Sequence, residues 1–167
     1  MAKYFNISGE LTQELLKPNS NVKVSSISLT NTQKVSSCKV DLYMEKSPSG
    51  KFYLLKGVEL PIGATLIHDN IKLQNFGLYI KLTDGATFTL TGSIDVTGTN
   101  TNVPGTNTLF TSELSIGDEV VISGETRTIS NITSDTAAVV SAAFGSDLAN
   151  DTSPDCNPTA LVDVILS

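Results

Sequence analysis

Residues 159–167 of this 167-residue chain read TALVDVILS. Asp163 is the only charged residue in this largely apolar run. A free strand of this kind exposes an unpaired edge that invites association with other chains. The run therefore needs a sheet to join, and residues 78–82 (LYIKL) close a first half that has room for one more strand. This pattern predicts that the C-terminal strand returns to a sheet begun early in the chain, which makes the residues between them an insertion.

Charge changes sharply within the same part of the chain. Residues 86–155 carry nine acidic residues and a single base, Arg127, or a net charge of −8. The remaining residues carry ten lysines and eight acidic residues, or +2, and the two parts account for the formal net charge of −6. A shift of this size is typical of a boundary between separately built units. We therefore predict an outer domain, residues 1–85 plus 156–167, and an inserted acidic domain, residues 86–155.

The outer domain has the alternating apolar pattern of half-buried strands. Strands are predicted at residues 22–30 (VKVSSISLT), 38–45 (CKVDLYME), 51–56, 65–67 and 78–82, with turns at 47–50 and 60–63. Six or seven short strands at this spacing are typical of an antiparallel β-sandwich, either Ig-like or jelly-roll-like. One short helix is predicted at residues 8–17, where Ser8 is a suitable cap and Pro18 ends the segment.

The inserted domain is also predicted to consist of short strands. Residues 99–108 form a polar, low-complexity run that favours a loop or an irregular edge. Residues 109–114 (LFTSEL) are compatible with one helical turn. Strands follow at residues 119–123, 126–132 and 137–143, which gives about five strands in all. This pattern predicts a small closed or half-open β-barrel of about 60 residues, so the whole chain is expected to be all-β.

The sequence lacks the motifs of the common enzyme classes. His68 is the only imidazole in the chain, no serine lies in a G-x-S-x-G turn, and no phosphate-binding glycine motif is present. Asp118 and Glu119 are adjacent carboxylates, but neighbouring strand residues point to opposite faces and do not act as a pair. We predict no catalytic residue, no cofactor and no enzymatic activity, and a depolymerase, which rests only on scattered acidic residues, is the least supported alternative.

Metal and disulfide chemistry are equally weakly indicated. One histidine and two cysteines, Cys38 and Cys156, do not form a zinc ligand set. Four oxygen-bearing residues lie within nine positions and suit calcium in type, although their spacing is not that of an EF-hand: Asp147, Asn150, Asp151 and Asp155. A solvated acidic interdomain linker is the simpler interpretation, and no metal site is predicted. The two cysteines are expected to be reduced and separate, with a disulfide left open as the alternative.

Composition also limits the partners. A pI near 4.6 and a single arginine argue against nucleic acid, and no apolar stretch approaches the roughly 18 residues of a membrane span. The N-terminal residues have no apolar segment typical of a secretion signal, which favours the cytoplasm. Tyr43, Tyr53 and Tyr79 are predicted at solvent-side or mixed strand positions. Tyrosine is enriched in contacts with proteins and sugars, although a ring that only covers a sheet edge is the simpler interpretation.

Residues 24–82, with VSSISLTNTQ, KVDLYMEK, KFYLLKGVELPIGATL and LYIKL, resemble small structural proteins encoded by tailed bacteriophages, particularly those of aquatic cyanobacteria. The inserted GSIDVTGTNT and LFTSELSIGDEVVISGETRTISNITSDTAAVVSAAF look like a module that recurs in phage virion proteins. The resemblance carries no catalytic motif and no binding residue. It implies a structural protein of the virion and leaves head, neck and tail open as its location.

These observations together predict a non-enzymatic virion protein, assembled in the host cytoplasm. It is expected to be an accessory capsid (decoration) protein or a head-to-tail junction (neck) component. Its expected partners are other virion proteins, which it would meet in repeated copies or as a homo-oligomer. The alternative is a tail-associated receptor-binding or carbohydrate-binding module, in which residues 99–108 and exposed tyrosines contact host glycan.

Overall fold

A computed structural model describes residues 2–167 and shows a chain built almost entirely of antiparallel β-strands. The chain divides into two compact units, which we call the first unit (residues 2–85 with Ala160–Ser167) and the second unit (Ala86–Thr159). No helix within residues 2–167 has the length and apolar character needed to cross a bilayer. The all-β class expected from the sequence is confirmed.

The strands of the first unit, apart from the last, are β1 (Lys3–Ser8), β2 (Gln13–Leu16), β3 (Ser26–Asn31), β4 (Cys38–Lys46), β5 (Gly50–Leu60), β6 (Thr65–Asp69) and β7 (Gly77–Thr83). The elements of the second unit are β8 (Phe88–Thr89), β9 (Ser93–Val96), β10 (Asn102–Thr106), α1 (Phe110–Glu113), β11 (Glu119–Ile122), β12 (Glu125–Ser134), β13 (Ala137–Val140), β14 (Leu148–Asp151) and β15 (Asp155–Asn157). The last strand, β16 (Leu161–Leu166), belongs to the first unit.

The C-terminal run lies in the middle of a sheet. The first sheet has the order β1-β16-β3-β6, so β16 pairs along its whole length with β1 on one side and with β3 on the other. Its alternation turns Val162, Val164 and Leu166 inward, and each is only 1% exposed. The C-terminal strand therefore joins a sheet whose first strand begins at Lys3, as the sequence predicts.

A second sheet, with the order β2-β7-β4-β5, completes the first unit. Inward-facing side chains of both sheets belong to one core cluster, and its least exposed members include Ile27, Leu29, Leu42, Leu78, Ile80 and Leu82. These residues recur at every second position of β3, β4 and β7, which is the period expected for strands with one buried face.

The helix predicted at residues 8–17 is wrong. Gln13–Leu16 is strand β2, which pairs with β7 at the edge of the second sheet, and its register shifts between Glu14 and Leu16. The shift accompanies the burial of the consecutive residues Leu15 and Leu16. A helix of ten residues is marginal by itself, so the backbone partners offered by β7 outweigh local propensity.

The strand predicted at residues 22–30 is shorter than expected. β3 begins at Ser26, and its ladder with β6 ends at the pair Ser26 and Asp69, followed by one further bond from the Asn70 amide to the Ser25 carbonyl. The ladder ends at Asn70, whose φ of 62° is left-handed and interrupts the strand conformation.

The second unit contains one eight-stranded sheet with the order β14-β9-β10-β13-β12-β11-β15-β8, where about five strands were expected. The short helix within the predicted turn at residues 109–114 is present, and its Phe110 is fully buried. The unit extends to Thr159, four residues beyond the boundary predicted at 155, because β15 pairs with β8 and β11.

The loop or irregular edge predicted at residues 99–108 is wrong for Asn102–Thr106, because this segment is strand β10, which lies inside the sheet between β9 and β13. Val103 is buried, and residues up to Pro104 pair with β13 whereas Gly105 and Thr106 pair with β9. Pro104 has no amide hydrogen to donate. It is accommodated because it lies where the strand changes partner.

Candidate functional site

Three tyrosines lie side by side across the outer face of the second sheet, and we call them the tyrosine row. Tyr43 on β4 is in register with Tyr53 on β5 and with Tyr79 on β7. The ring centroids are 5.5 Å apart for Tyr43 and Tyr53, and 5.6 Å apart for Tyr43 and Tyr79, whose planes differ by 17°. Rings at this spacing attract one another, so the row is a fixed aromatic surface.

The alternation of β4 explains the row. Val40 and Leu42 point into the core, so Tyr43 points to the opposite face. Its neighbours nevertheless cover it to 4% exposure, whereas Tyr53, on the edge strand, is 44% exposed. The tyrosine row is therefore accessible mainly at its Tyr53 end. Tyr43 points to the solvent side of the sheet, as expected, but its ring is covered by its neighbours.

Charged groups border both ends of the tyrosine row. Lys51 Nζ lies 4.6 Å from the Tyr43 ring centroid and donates to Tyr43 Oη at 3.5 Å, and this hydrogen bond is the main cause that raises the pKa of Lys51. Lys56 Nζ lies 5.0 Å from the Tyr53 ring centroid. At the other end Tyr79 Oη donates to Glu14 Oε2 at 3.2 Å, and desolvation, followed by this bond, raises the pKa of Tyr79. Lys51 therefore lies over the central ring, with Glu45 Oε2 4.0 Å from its Nζ, while Lys56 lies at the Tyr53 end and Glu14 at the Tyr79 end.

The outer face of the first sheet carries a second row, which we call the apolar row. Tyr4, Ile165, Ser28 and Ile67 are successive partners across its four strands. Tyr4 is 72% exposed, Ile165 39% and Ile67 62%. Ser28 separates Ile165 from Ile67, and exposed apolar side chains grouped on one sheet face are typical of a surface that another molecule covers.

A polar row borders the apolar row on the same face. Asn6 Nδ2 donates to Asp163 Oδ1 at 2.5 Å, and the hydroxyls of Thr30 and Thr65 are hydrogen-bonded at 2.9 Å. An apolar strip beside satisfied polar side chains has the composition of an interface centre and its rim.

The adjacent carboxylates Asp118 and Glu119 differ in burial. Glu119 is exposed, but Asp118 is completely buried. Its Oδ2 accepts from the Ser115 amide at 2.7 Å, and its Oδ1 accepts from the Thr159 amide at 2.9 Å. Sequence reasoning considered Asp118 as a neighbour of Glu119 and missed its role as a buried acceptor for the Thr159 amide, 41 positions away.

Both cysteines are free and buried, one in each unit. Burial raises the pKa of Cys38 to about 11, with a smaller contribution from Asp84. Burial also raises the pKa of Cys156, to which the nearby Asp118 carboxylate adds. Thiolates are the nucleophilic and metal-binding form of cysteine, so these environments favour inert thiols.

The four candidate calcium ligands do not converge. Asp147 accepts from the Gly98 amide at 2.7 Å and Asp155 from the Thr89 hydroxyl at 2.8 Å, while Asp151 accepts from the Ser153 amide at 2.9 Å. No group of three or more histidine, cysteine, aspartate or glutamate residues suited to a metal ion occurs in the described part of the chain. These residues are not a linker either, because they belong to or flank β14 and β15.

His68 lies on β6, half-buried and in register with Ile27 of β3. The features of the described residues best suited to binding are therefore the tyrosine row and the apolar row, which offer aromatic, aliphatic and ammonium groups.

Comparison with known proteins adds no relative: no family model matches this sequence, and no curated protein and no solved structure matches it.

Proposed function

We propose that the chain is a non-enzymatic structural protein of a tailed-phage virion, an accessory component of the capsid or of the head-to-tail junction. The first unit docks on other virion proteins, and the second unit, with its net charge of −8, is the part left in solvent. Charge of one sign on the solvent side keeps assembled particles mutually repulsive. The sequence resemblance of both units to virion proteins supports the assignment.

A finer description of the architecture belongs to the same proposal. The first unit is a sandwich, Ig-like or jelly-roll-like, since two four-stranded sheets share one core cluster. The second unit is a small barrel, since buried side chains from strands along its single sheet also form one cluster.

The observation that carries the proposal is the apolar row. Three large apolar side chains lie on three of the four strands of one sheet, with Ser28 on the fourth, and remain between 39% and 72% exposed. A catalytic site needs a concave pocket with convergent polar groups, whereas this surface presents an apolar strip along a sheet face. Such a surface suits docking on a repetitive protein lattice.

Removing the apolar row is expected to reduce incorporation into particles. The double variant Tyr4→Ser, Ile67→Ser should lower the copy number per purified particle roughly tenfold, because the two most exposed large side chains of the row are lost from the contact. Quantitative mass spectrometry of particles measures this number. Leu11→Ser is the matched control, since Leu11 is 77% exposed but lies outside the row. Equal incorporation of the double variant, or no stoichiometric copies of the unmodified chain, contradicts the proposal.

A tail-associated carbohydrate-binding module remains the second candidate, and the tyrosine row favours it. Residues 99–108 no longer support this candidate as a loop, because β10 is an internal strand. Tyr53 presents an exposed ring beside Lys56, as sugar-binding surfaces do. On a glycan array, Tyr53→Ala should abolish any specific signal, whereas Phe52→Ala, which changes an exposed ring on the opposite side of β5, should preserve it. An unmodified chain that binds no glycan excludes this candidate.

A further inference from the structure

Two segments of the first unit border an open slot that the proposed docking surfaces do not use. Residues 20–25 lead into β3 and residues 70–75 follow β6, and together they line a cavity of about 750 Å³. The segments are joined at both ends, by the bond from the Asn70 amide to the Ser25 carbonyl at 2.9 Å and by the bond from the Asn19 amide to the Asn75 carbonyl at 3.0 Å. Between these bonds the two segments are open.

Both segments have the alternation of strands without a strand partner. Val24, Ile71 and Leu73 are buried, while Lys23, Lys72 and Gln74 are exposed. Within the described residues, no backbone hydrogen bond joins residues 21–24 to residues 71–74. Unpaired backbone groups beside an apolar floor are what an added strand uses for binding.

The charge of the slot is one-sided. Lys23 and Lys72 both line the cavity, and none of the other lining residues is acidic, although the chain as a whole contains more acidic than basic residues. Both lysine side chains are exposed, so two like charges border one cavity. A carboxylate bound between them would offset their mutual repulsion.

We propose that the slot binds an extended acidic peptide segment of a partner protein. The peptide backbone pairs with the free groups of residues 21–24 and 71–72, its apolar side chains face Val24 and Ile71, and a carboxylate lies between Lys23 and Lys72. An alternating apolar and acidic sequence satisfies all three requirements, because successive side chains of a strand point to opposite sides. The slot and its ligand class stand independently of the virion assignment.

The test is a titration of the full chain with the blocked peptide Val-Glu-Val-Glu-Val, followed by NMR or calorimetry. Saturable binding with a dissociation constant below about 1 mM is expected, and it should weaken with rising salt because the contact is electrostatic. The double variant Lys23→Gln, Lys72→Gln should weaken binding at least tenfold, whereas Lys23→Arg, Lys72→Arg should retain it. Lys34→Gln, which changes an exposed lysine outside the slot, should leave binding unchanged.

Three results overturn the inference. The first is the absence of saturable binding, and the second is equal affinity for the peptide Val-Lys-Val-Lys-Val. The third is binding of a different occupant at the same two lysines. One such occupant is a uronic-acid oligosaccharide that binds while the acidic peptide does not. The other is a second copy of this chain, seen as self-association of the unmodified protein that the double glutamine variant abolishes.

Discussion

A chain that ends at Ala160 is expected to lose the folded first unit. The missing residues include β16, the strand between β1 and β3, together with the buried side chains of Val162, Val164 and Leu166. Each such side chain contributes about 1.5–3 kcal/mol by burial, and the flanking strands also lose their ladder bonds. The sum is comparable with the 5–15 kcal/mol total stability of an ordinary domain. NMR spectra of the truncated chain should therefore lack the dispersed signals of the first unit.

Two controls make this result interpretable. A chain in which Gly85 is joined to Ala160 by a short glycine linker should retain a cooperatively folded first unit, because Asp84 Oδ1 accepts from the Ala160 amide at 2.7 Å and the two ends already lie together. Signals of the second unit should persist in the truncated chain, since its core cluster contains no residue beyond Cys156. Dispersed first-unit signals in the truncated chain would show that β16 is dispensable.

The second large effect is expected at Asp118. Replacing it by alanine removes the acceptor of the Ser115 and Thr159 amides and leaves a space in a fully buried position. Loss of a buried acceptor costs about 1–3 kcal/mol for each group it served, so Asp118→Ala should lower the free energy of unfolding of the second unit by about 2–5 kcal/mol. Chemical denaturation monitored by NMR signals of the second unit measures the change.

Two matched variants test the assigned cause. Asp118→Asn should have an intermediate effect, because the amide keeps one acceptor oxygen where the carboxylate has two. Glu119→Ala changes the exposed neighbouring carboxylate and should shift the stability by less than about 0.5 kcal/mol. If Asp118→Ala proved as mild as Glu119→Ala, the buried carboxylate would not be a structural link.

The parts of the fold that the sequence predicts are those in which a strong local pattern admits one solution. Residues 159–167 are apolar enough to require a sheet, and the alternation in residues 38–45 fixes which face of β4 is buried. The predictions for residues 8–17 and 99–108 were wrong because strands distant in sequence determined the conformation of these segments. β2 is held by β7, and β10 is held by β9 and β13.

The candidate surfaces were predictable only in part. The three tyrosines were identifiable as outward-facing from the period of their strands, but their alignment depends on the register of β5, β4 and β7. The apolar row depends in the same way on residues as far apart as Tyr4 and Ile165. No local sequence pattern indicates that Asp118 is buried, because the Thr159 amide that donates to it lies 41 residues later in the chain.

The position of β5 has a consequence for behaviour in concentrated solution. This eleven-residue strand is the outer strand of its sheet, so one side of its backbone is open to a strand from another molecule. Lys51 and Lys56, held over tyrosine rings, place two ammonium groups along it. A second copy approaching edge to edge would bring like charges together, and neutralising these amines by acetylation would remove a barrier to fibrous aggregation.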